Sequence, residues 1–541
     1  MHTIRPTVSP EAIEKVTRIF NGSLSDILNE LLQNARRAGA TRIDIDLSGG
    51  DTAPLLTISD NGSGISDPAT LLSLGQSDWS SPTTQSEDPA GMGFFALAGR
   101  ATTVATAGAG FAYRFHIPAD GWTGNQDIAV EPCQQEAGTT ISFEPHTSDP
   151  RIVGNFVSAA AIHFPIPVYF NTALQKQADF LSGAHQIICA NGLRIGVYKD
   201  VNIDRTPNIN FHGVTLNHAL PTIKEWRSTK WSVRVDIIDC PELILVLPAR
   251  KEVYRNDGLA RLIGDCETAI ATAIANEPHH QLEFDDWQKA LDYVPSLPPA
   301  RPWLSPWQAN PARSDYREYS APAALKPNAI IYDEEDAYDA QSFQHALATN
   351  TDLDLNAYVA VPAYAGYLWY DAIPKYRREE IQYRDADGTD CEPETPTSRP
   401  AEITVTIRSE TAPPLTYQTD VLLGDSEHFT DDPDDIFVAV TSASTITADA
   451  LAHMIFEAGF TPYEDHDADS YDTQESRYQH DATVRATQIL AGDDAAAITD
   501  IAMTFHDRIA WRVPANKNVT IIYRNNSLSV TFADKLEDQQ P

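Results

Sequence analysis

Alternation of apolar and polar residues divides the chain into short, readable pieces. In "LSDILNELLQNARRAG" the apolar residues recur at helical spacing. Leu24, Ile27, Leu28, Leu31 and Ala35 form one stripe, and Ser23 with Asp26 supplies a capping box for its start. "RIDIDL" then switches to a period of two, and "LLTIS", "FAYRFHI" and "TTISF" read as further strands of one sheet. Past residue 148 a helical stretch, "RIVGNFVSAAAIHF", leads into the strands "HQIICANGLRIGVYK" and "ELILVLPA". This region closes on a helix whose Leu259, Leu262, Ile263, Cys266, Ile270 and Ile274 share one side. "DYVPSLPPARPWLSPWQANPARS", rich in proline and aromatics, reads as a stiff connector. After it, strand-like runs ("AEITVTIRS", "DIFVAVTSAS", "VTIIYRNNSLSVTF") mix with helical ones ("ADALAHMIFEAGF", "ATVRATQILAG"), with no internal repeat. The pattern predicts an α+β chain with regions 1–148 and 149–290, a connector 291–325, and an α/β region 326–541.

Length adds that 541 residues exceed a single core. No apolar run reaches membrane-spanning length, and "MHTIRPTVSPEAIEKV" lacks the charged start and apolar centre of a signal peptide. Five cysteines, odd in number and without a Cys-x-x-Cys pair, suit a reducing cytoplasm with neither disulfide framework nor zinc site. All five read as buried, inert thiols. The net charge of -37 argues against nucleic acid as the primary ligand, because a phosphate binder needs clustered Lys and Arg. Roughly -26 of it lies in residues 321–541, which hold about 40 acidic against about 14 basic residues. A solvated acidic surface is the ordinary reading of that excess.

Three short stretches carry candidate chemistry. On the first helix, Glu30 and Asn34 are four apart and lie one above the other beside the apolar stripe, with Gln33 and Arg37 close by. Taken alone, that flank is equally a solvated face on which Arg37 screens Glu30. "LLTISDNGSGI" places Asp60 at the mouth of an apolar strand, followed by Gly62 and Gly64. A carboxylate there accepts the exocyclic amine of adenine, and glycines let the backbone approach a flat base, although "DNGSGI" is also a good turn. "DPAGMGFFALAGRA" sets Gly91 and Gly93 before an apolar helix, whose unpaired amides suit phosphate oxygens.

In this order and spacing the three stretches resemble the boxes of the GHKL ATPases, the superfamily of gyrase B, the MutL proteins, the ninety-kilodalton heat-shock chaperones and the sensor histidine kinases. A fourth piece, "GTTISF", resembles the family's Gly-Thr strand. The likeness covers residues 20–145, about a quarter of the chain. "ELLQNARRAGATRIDIDL" is closest in wording to the MutL and sacsin-like branches. The resemblance implies a Bergerat-fold α/β sandwich, a mixed sheet covered by helices on one face, followed by a transducer-like domain. It implies ATP and Mg2+ as ligands. Asn34 would hold magnesium and Glu30 would act as general base. Asp60 would select adenine, supported by Thr139, Gly62 and Gly64 would line the base pocket, and Gly91 and Gly93 would hinge a lid, residues 71–93, over the phosphates.

One departure stands out. Several branches carry a lysine in the lid, and this chain has none between 71 and 93. Arg250 and Lys251, in "LVLPARKEVYRNDG", are candidates to reach the terminal phosphate, although a surface basic pair after a strand is the plainer reading. Nucleotide-driven homodimerisation and an unidentified protein client are further expectations from the resemblance. Turnover with lid and domain movement competes with an ATP-gated interaction module that hydrolyses little. A histidine kinase is disfavoured, because about 20 residues before the first box cannot hold a helical hairpin of useful length. MutL-type repair and a topoisomerase subunit lack their nuclease or cleavage motifs. "DHDADSYDTQES" lacks the glycine and glutamate of a calcium loop, with Ser470 and Ser476 in their places. "DDPDD" (431–435) and "DEED" (333–336) read as solvated acidic loops, His506 as structural, and Trp303, Trp307 and Trp369 as anchors between domains.

Overall fold

Helix α1 (Leu24–Arg37) begins where its capping box puts it: the Ser23 side chain accepts the Asp26 amide and the Asp26 carboxylate accepts the Ser23 amide. The computed structural model describes residues 23–50, 52–73, 93–123, 126–201, 203, 206–226, 229–245, 252–313, 319–391, 399–424, 433, 436–462 and 470–534. The chain has an α+β fold and divides into two units, Met1–Arg301 and Pro302–Pro541.

The first unit opens with an eight-stranded mixed sheet. Its strands are β1 (Ile43–Ser48), β2 (Leu55–Asp60), β3 (Thr102–Gly108), β4 (Phe111–Ile117), β5 (Val130–Pro132), β6 (Gly138–Phe143), β7 (Val168–Phe170) and β8 (Ala173–Leu174), in the order β5-β4-β3-β6-β2-β1-β7-β8. Period-two alternation decides the faces. Val104, Ile141, Ile58 and Ile45 are register neighbours across four strands and face the core. That core is shared with α1, with α2 (Pro150–Ala161) and with the short turn of helix Gly93–Leu97. The opposite face carries hydroxyl pairs instead, Thr57 with Ser142 at 3.0 Å and Ser59 with Thr140 at 3.1 Å.

A second sheet follows in the same unit. It comprises β9 (Gln186–Ala190), β10 (Leu193–Lys199), β11 (Ile209–Phe211), β12 (Val214–Leu216), β13 (Ile223–Lys224) and β14 (Lys230–Ile237). Its order is β12-β11-β14-β10-β9, with β13 on β14. Helices α3 (Asp257–Ala275) and α4 (Phe284–Tyr293) pack on it through Leu262, Cys266, Ile270 and Ala290. "ELILVLPA" forms no ladder strand in its described part: Leu243 and Leu245 are buried, but Leu245 makes only an isolated bridge to Val253. Pro241 precedes the run and withholds a ladder donor. The proline-rich stretch is folded rather than a bare spacer. Leu297 joins the core of the second sheet, while Trp307 packs edge-on to Tyr332 and Phe343 in the second unit.

The second unit holds the small pair β15 (Trp303–Leu304) and β16 (Ala323–Ala324) and a five-stranded sheet. The sheet is β17 (Ala329–Tyr332), β18 (Asn356–Tyr358), β19 (Lys375–Arg384), β20 (Glu402–Ser409) and β21 (Leu415–Thr419), in the order β18-β17-β19-β20-β21. Helix α5 (Ala337–Thr349) and the pair β22 (Val421–Gly424) and β23 (Phe437–Val440) contribute to the cores around it. Then come α6 (Ala448–Gly459), α7 (Tyr471–Ala491), α8 (Asp493–Arg508) and a hairpin, β24 (Lys517–Arg524) and β25 (Ser527–Asp534). "DEED" is more than a solvated loop. Asp336 caps α5, Glu334 accepts from Trp307 Nε1 at 2.9 Å, and Glu335 pairs with Arg378 at 3.0 Å. Beneath it Asp339, only 2% exposed, accepts the Tyr332 hydroxyl at 3.0 Å and lies 3.1 Å from Arg378.

The cysteines are unpaired but not uniformly buried. Cys240 and Cys266 are, with burial pushing the Cys266 thiol up to about 12, whereas Cys189 is exposed on β9. No helix among the described residues is long and apolar enough to cross a membrane. "DDPDD", apart from Pro433, and the first half of "DHDADSYDTQES" lie outside the described residues.

Candidate functional site

The apolar face of the first sheet ends abruptly. One step along the strands from the Val104–Ile141–Ile58 row, the register neighbours become Thr106, Thr139 and Asp60. A polar row on the core side of a sheet needs internal partners, and it has them. Thr106 Oγ1 and Thr139 Oγ1 are 3.2 Å apart, and Thr106 Oγ1 accepts the Ile65 amide at 2.9 Å. Asp60 Oδ1 accepts the Gly62 amide at 2.8 Å, and the Thr139 amide also hydrogen-bonds to this carboxylate. Burial nonetheless raises the Asp60 pKa above its ordinary 3.8, outweighing those two donors. The group is a half-buried carboxylate with acceptor capacity left over and a strong demand for a donor.

The glycines around it are required by close backbone approach. A Cβ on Gly62 would lie 2.7 Å from Ala38 Cβ, and one on Gly64, at φ +73°, would lie 2.3 Å from the Ala107 carbonyl oxygen. Gly138, at φ +130°, passes so close to the Asp60 carbonyl that a Cβ would sit 1.9 Å away. Asn61 ties the loop to the turn after α1: its Oδ1 accepts the amides of Thr41 and Arg42 at 2.8 and 3.1 Å. Ser63 donates to the Ala38 carbonyl at 2.9 Å.

Helix α1 lines the other wall. Residues 30, 34 and 38 are successive fourth neighbours and form a line about 12 Å long. At one end Ala38 touches Gly62, beside Asp60. At the other the Glu30 carboxylate lies against Gly93, where a Cβ would come within 2.1 Å of Oε2. Between them Asn34 Oδ1 accepts Arg37 Nη1 at 3.2 Å. An amide oxygen has two lone pairs, so one remains for a hard cation, which prefers oxygen donors. Among the described residues no group of three or more His, Cys, Asp or Glu could hold a metal. A magnesium ion would therefore rely on Asn34 together with oxygens brought by a ligand, the usual way that ion is held beside phosphates. The donor chemistry fits.

Asp60, Gly62, Gly64 and Thr139 thus gather at one end of the sheet, and Asn34 and Glu30 run along α1 toward the other end of the line, where Gly93 meets Glu30. Gly91, Arg250, Lys251 and lid residues 74–92 lie outside the described residues. Sequence reasoning missed Thr106 and gave Asn61 and Gly138 no role beyond their place in the resembling stretches. Thr106 was visible as the third in-facing position of "TTVATAG", and Asn61 as the residue between Asp60 and the required glycine. Gln33 belongs to a different task from its neighbours. It is 1% exposed, and its Nε2 donates to the His212 carbonyl at 2.6 Å, joining α1 to the β11–β12 turn. Compared with protein-family models and with curated proteins, the chain matches none.

Proposed function

We propose that residues 1–148 form a GHKL-type, Bergerat-fold ATP-binding domain that hydrolyses ATP with magnesium. Closure of the 71–93 lid would then rearrange the transducer-like region 149–290, as in a chaperone-like machine or an assembly switch of the cytoplasm. The observation that carries this reading is the line on α1. It connects a carboxylate suited to adenine's amine with a carboxylate and an amide oxygen suited to water and metal, over a span on the scale of a nucleoside triphosphate.

The roles follow from the chemistry of each group. Asp60 accepts the exocyclic amine of adenine, whereas guanine presents an acceptor there and is repelled. Thr106 and Thr139 hold the Asp60 row in place. Asn34, through its amide oxygen, would help hold the metal that accompanies the phosphates. Magnesium, when bound, neutralises phosphate charge and fixes the triphosphate. Glu30 takes a proton from the attacking water as the water's oxygen bonds to the γ-phosphorus and the bond to the bridging oxygen of ADP breaks. Arg250 and Lys251 remain the candidates to contact the terminal phosphate.

Calorimetry on the full chain in magnesium buffer should show heat with ATP or ADP, and no heat with either would end the proposal. Glu30→Ala should keep binding and lose steady-state turnover. A second reading, an ATP-gated interaction module with little turnover, draws support from the lysine-free lid and from Arg37 occupying part of the Asn34 oxygen. Tight binding without product release in the unaltered chain would favour it.

A further inference from the structure

The last 40 residues or so of the second unit present two apolar surfaces that none of that unit's described residues covers. In β24–β25 the register pairs Ile521 with Val530 and Tyr523 with Leu528, and places Val519 opposite Phe532. Directly paired residues share a face, so these six side chains form one side of the hairpin, unbroken up to the Lys517–Asp534 ion pair at its end. The other side is Asn518, Thr520, Arg524, Ser527, Ser529 and Thr531, broken only by Ile522 and Ala533. The apolar side faces outward: Ile521, Tyr523, Leu528, Val530 and Phe532 are 41–66% exposed. Both outer edges of the hairpin lack a partner strand among the described residues. Two strands alone are marginal in water.

Helix α8 has the complementary defect. Only Ala496 is buried, while Ile498 and Ile501 are 67% and 68% exposed on one face, and Ile509 and Trp511 continue past its end at 43% and 72%. Taking roughly 150–250 Å² for a large side chain, these nine exposed residues present on the order of 1,000 Å² per copy. A typical monomer's largest apolar patch is about 300–600 Å².

We propose that this surface is a homodimer interface in which the hairpin of each copy lies, apolar side down, on α8 of the other. A sheet face and a helix stripe are the natural pair to bury together. Both lie in one chain, so a two-fold axis satisfies both at once. About 2,000 Å² would be covered in total, at the upper end of the 1,200–2,000 Å² of specific interfaces. The matching area and the presence of both surfaces in one chain make a second copy the occupant. The hairpin's charges play no part in the contact, since Lys517 pairs with Asp534 and Arg524 lies on the other side with Ser527. This interface needs no nucleotide and is separate from any dimerisation of the N-terminal domain.

Sedimentation velocity on the full chain without nucleotide should show twice the 59.5 kDa chain mass at micromolar concentration. Phe532→Glu and Ile501→Glu should each return the monomer, while Ile522→Glu, on the hairpin's other side, should leave the dimer intact. Mixing the Phe532→Glu and Ile501→Glu chains should recover part of the dimer, because one hairpin–helix contact remains whole. A monomeric unaltered chain overturns the proposal and leaves the surface to a different protein. A dimer that survives both single changes, or one broken by Phe532→Glu but indifferent to Ile501→Glu, overturns the hairpin-on-helix arrangement.

Discussion

In the eight-stranded sheet, the apolar side of β1, β2 and β3 lies in a core shared with α1 and α2, and Ile45, Ile58 and Val104 are at most 4% exposed. In β24–β25 the same alternation produces an equally apolar side on which five of six residues are more than 40% exposed. The first face is interrupted by a polar row, Thr106–Thr139–Asp60, that its neighbours satisfy internally. The second runs unbroken to the Lys517–Asp534 pair at its end and has no roof among the described residues. A polar break in a covered face marks a place for a small ligand, whereas an unbroken bare face marks a place for another macromolecular surface.

The sharpest way to break this contrast is to put the same charge into both faces. Ile58→Asp should cost about 4 kcal/mol or more, because an unpaired carboxylate would be buried. Phe532→Asp should change the stability of the monomer by no more than about 0.5 kcal/mol. Urea unfolding of the full chain, at concentrations low enough to keep it monomeric, measures both, and equal costs would show that the hairpin face is covered after all.

Next in size is Asp60→Asn, expected to weaken ATP binding on the order of 100-fold or more by presenting the wrong partner to adenine. Its effect on stability has the opposite sign. The acid's folded pKa is raised, so its stabilising contribution is complete below the ordinary 3.8 and is lost as pH rises through the folded value. At neutral pH the ionised carboxylate is a burden that asparagine lacks, and the melting temperature should hold or rise. For the unaltered chain, ATP affinity should fall on acidification with a midpoint above 3.8, which calorimetry across pH would register.

Gln33→Ala should then cost roughly 1–2 kcal/mol, leaving the His212 carbonyl without its donor. The smallest effect on folding belongs to Gly93→Ala. The atom its Cβ would meet is the end of the flexible Glu30 side chain, so the fold should lose under about 1 kcal/mol. Displacing that carboxylate should slow turnover about tenfold, and a variant that turns over normally would detach Glu30 from the chemistry.

Much of the first sheet and its core was legible, because periodicity reports which residues share a face. Leu24, Ile27, Leu28, Leu31 and Ala35 are buried as their spacing predicts, and the capping box forms. What stayed hidden depends on contacts distant in sequence. Nothing near Gln33 announces a carbonyl 179 positions away. Nothing around Cys189 separates an exposed side of β9 from a buried one. "VTIIYRNNSLSVTF" reads as one strand-like run, yet Asn525 and Asn526 both take positive φ and turn it into a hairpin, a conformation that asparagine tolerates better than most residues. The acidic run before α5 reads as solvated because its partners, Trp307 and Arg378, are supplied by other elements.

The amide of Gln33 also has a mechanical meaning. It sits one position from Asn34 and three from Glu30, and it grips a hairpin whose first strand, β11, runs parallel to β14 within the second sheet. A tilt of α1 that shifted Glu30 and Asn34 would tug the His212 turn and load β14. The Gln33 side chain gears the two sheets together, and the tooth is cut into the helix proposed to handle the triphosphate.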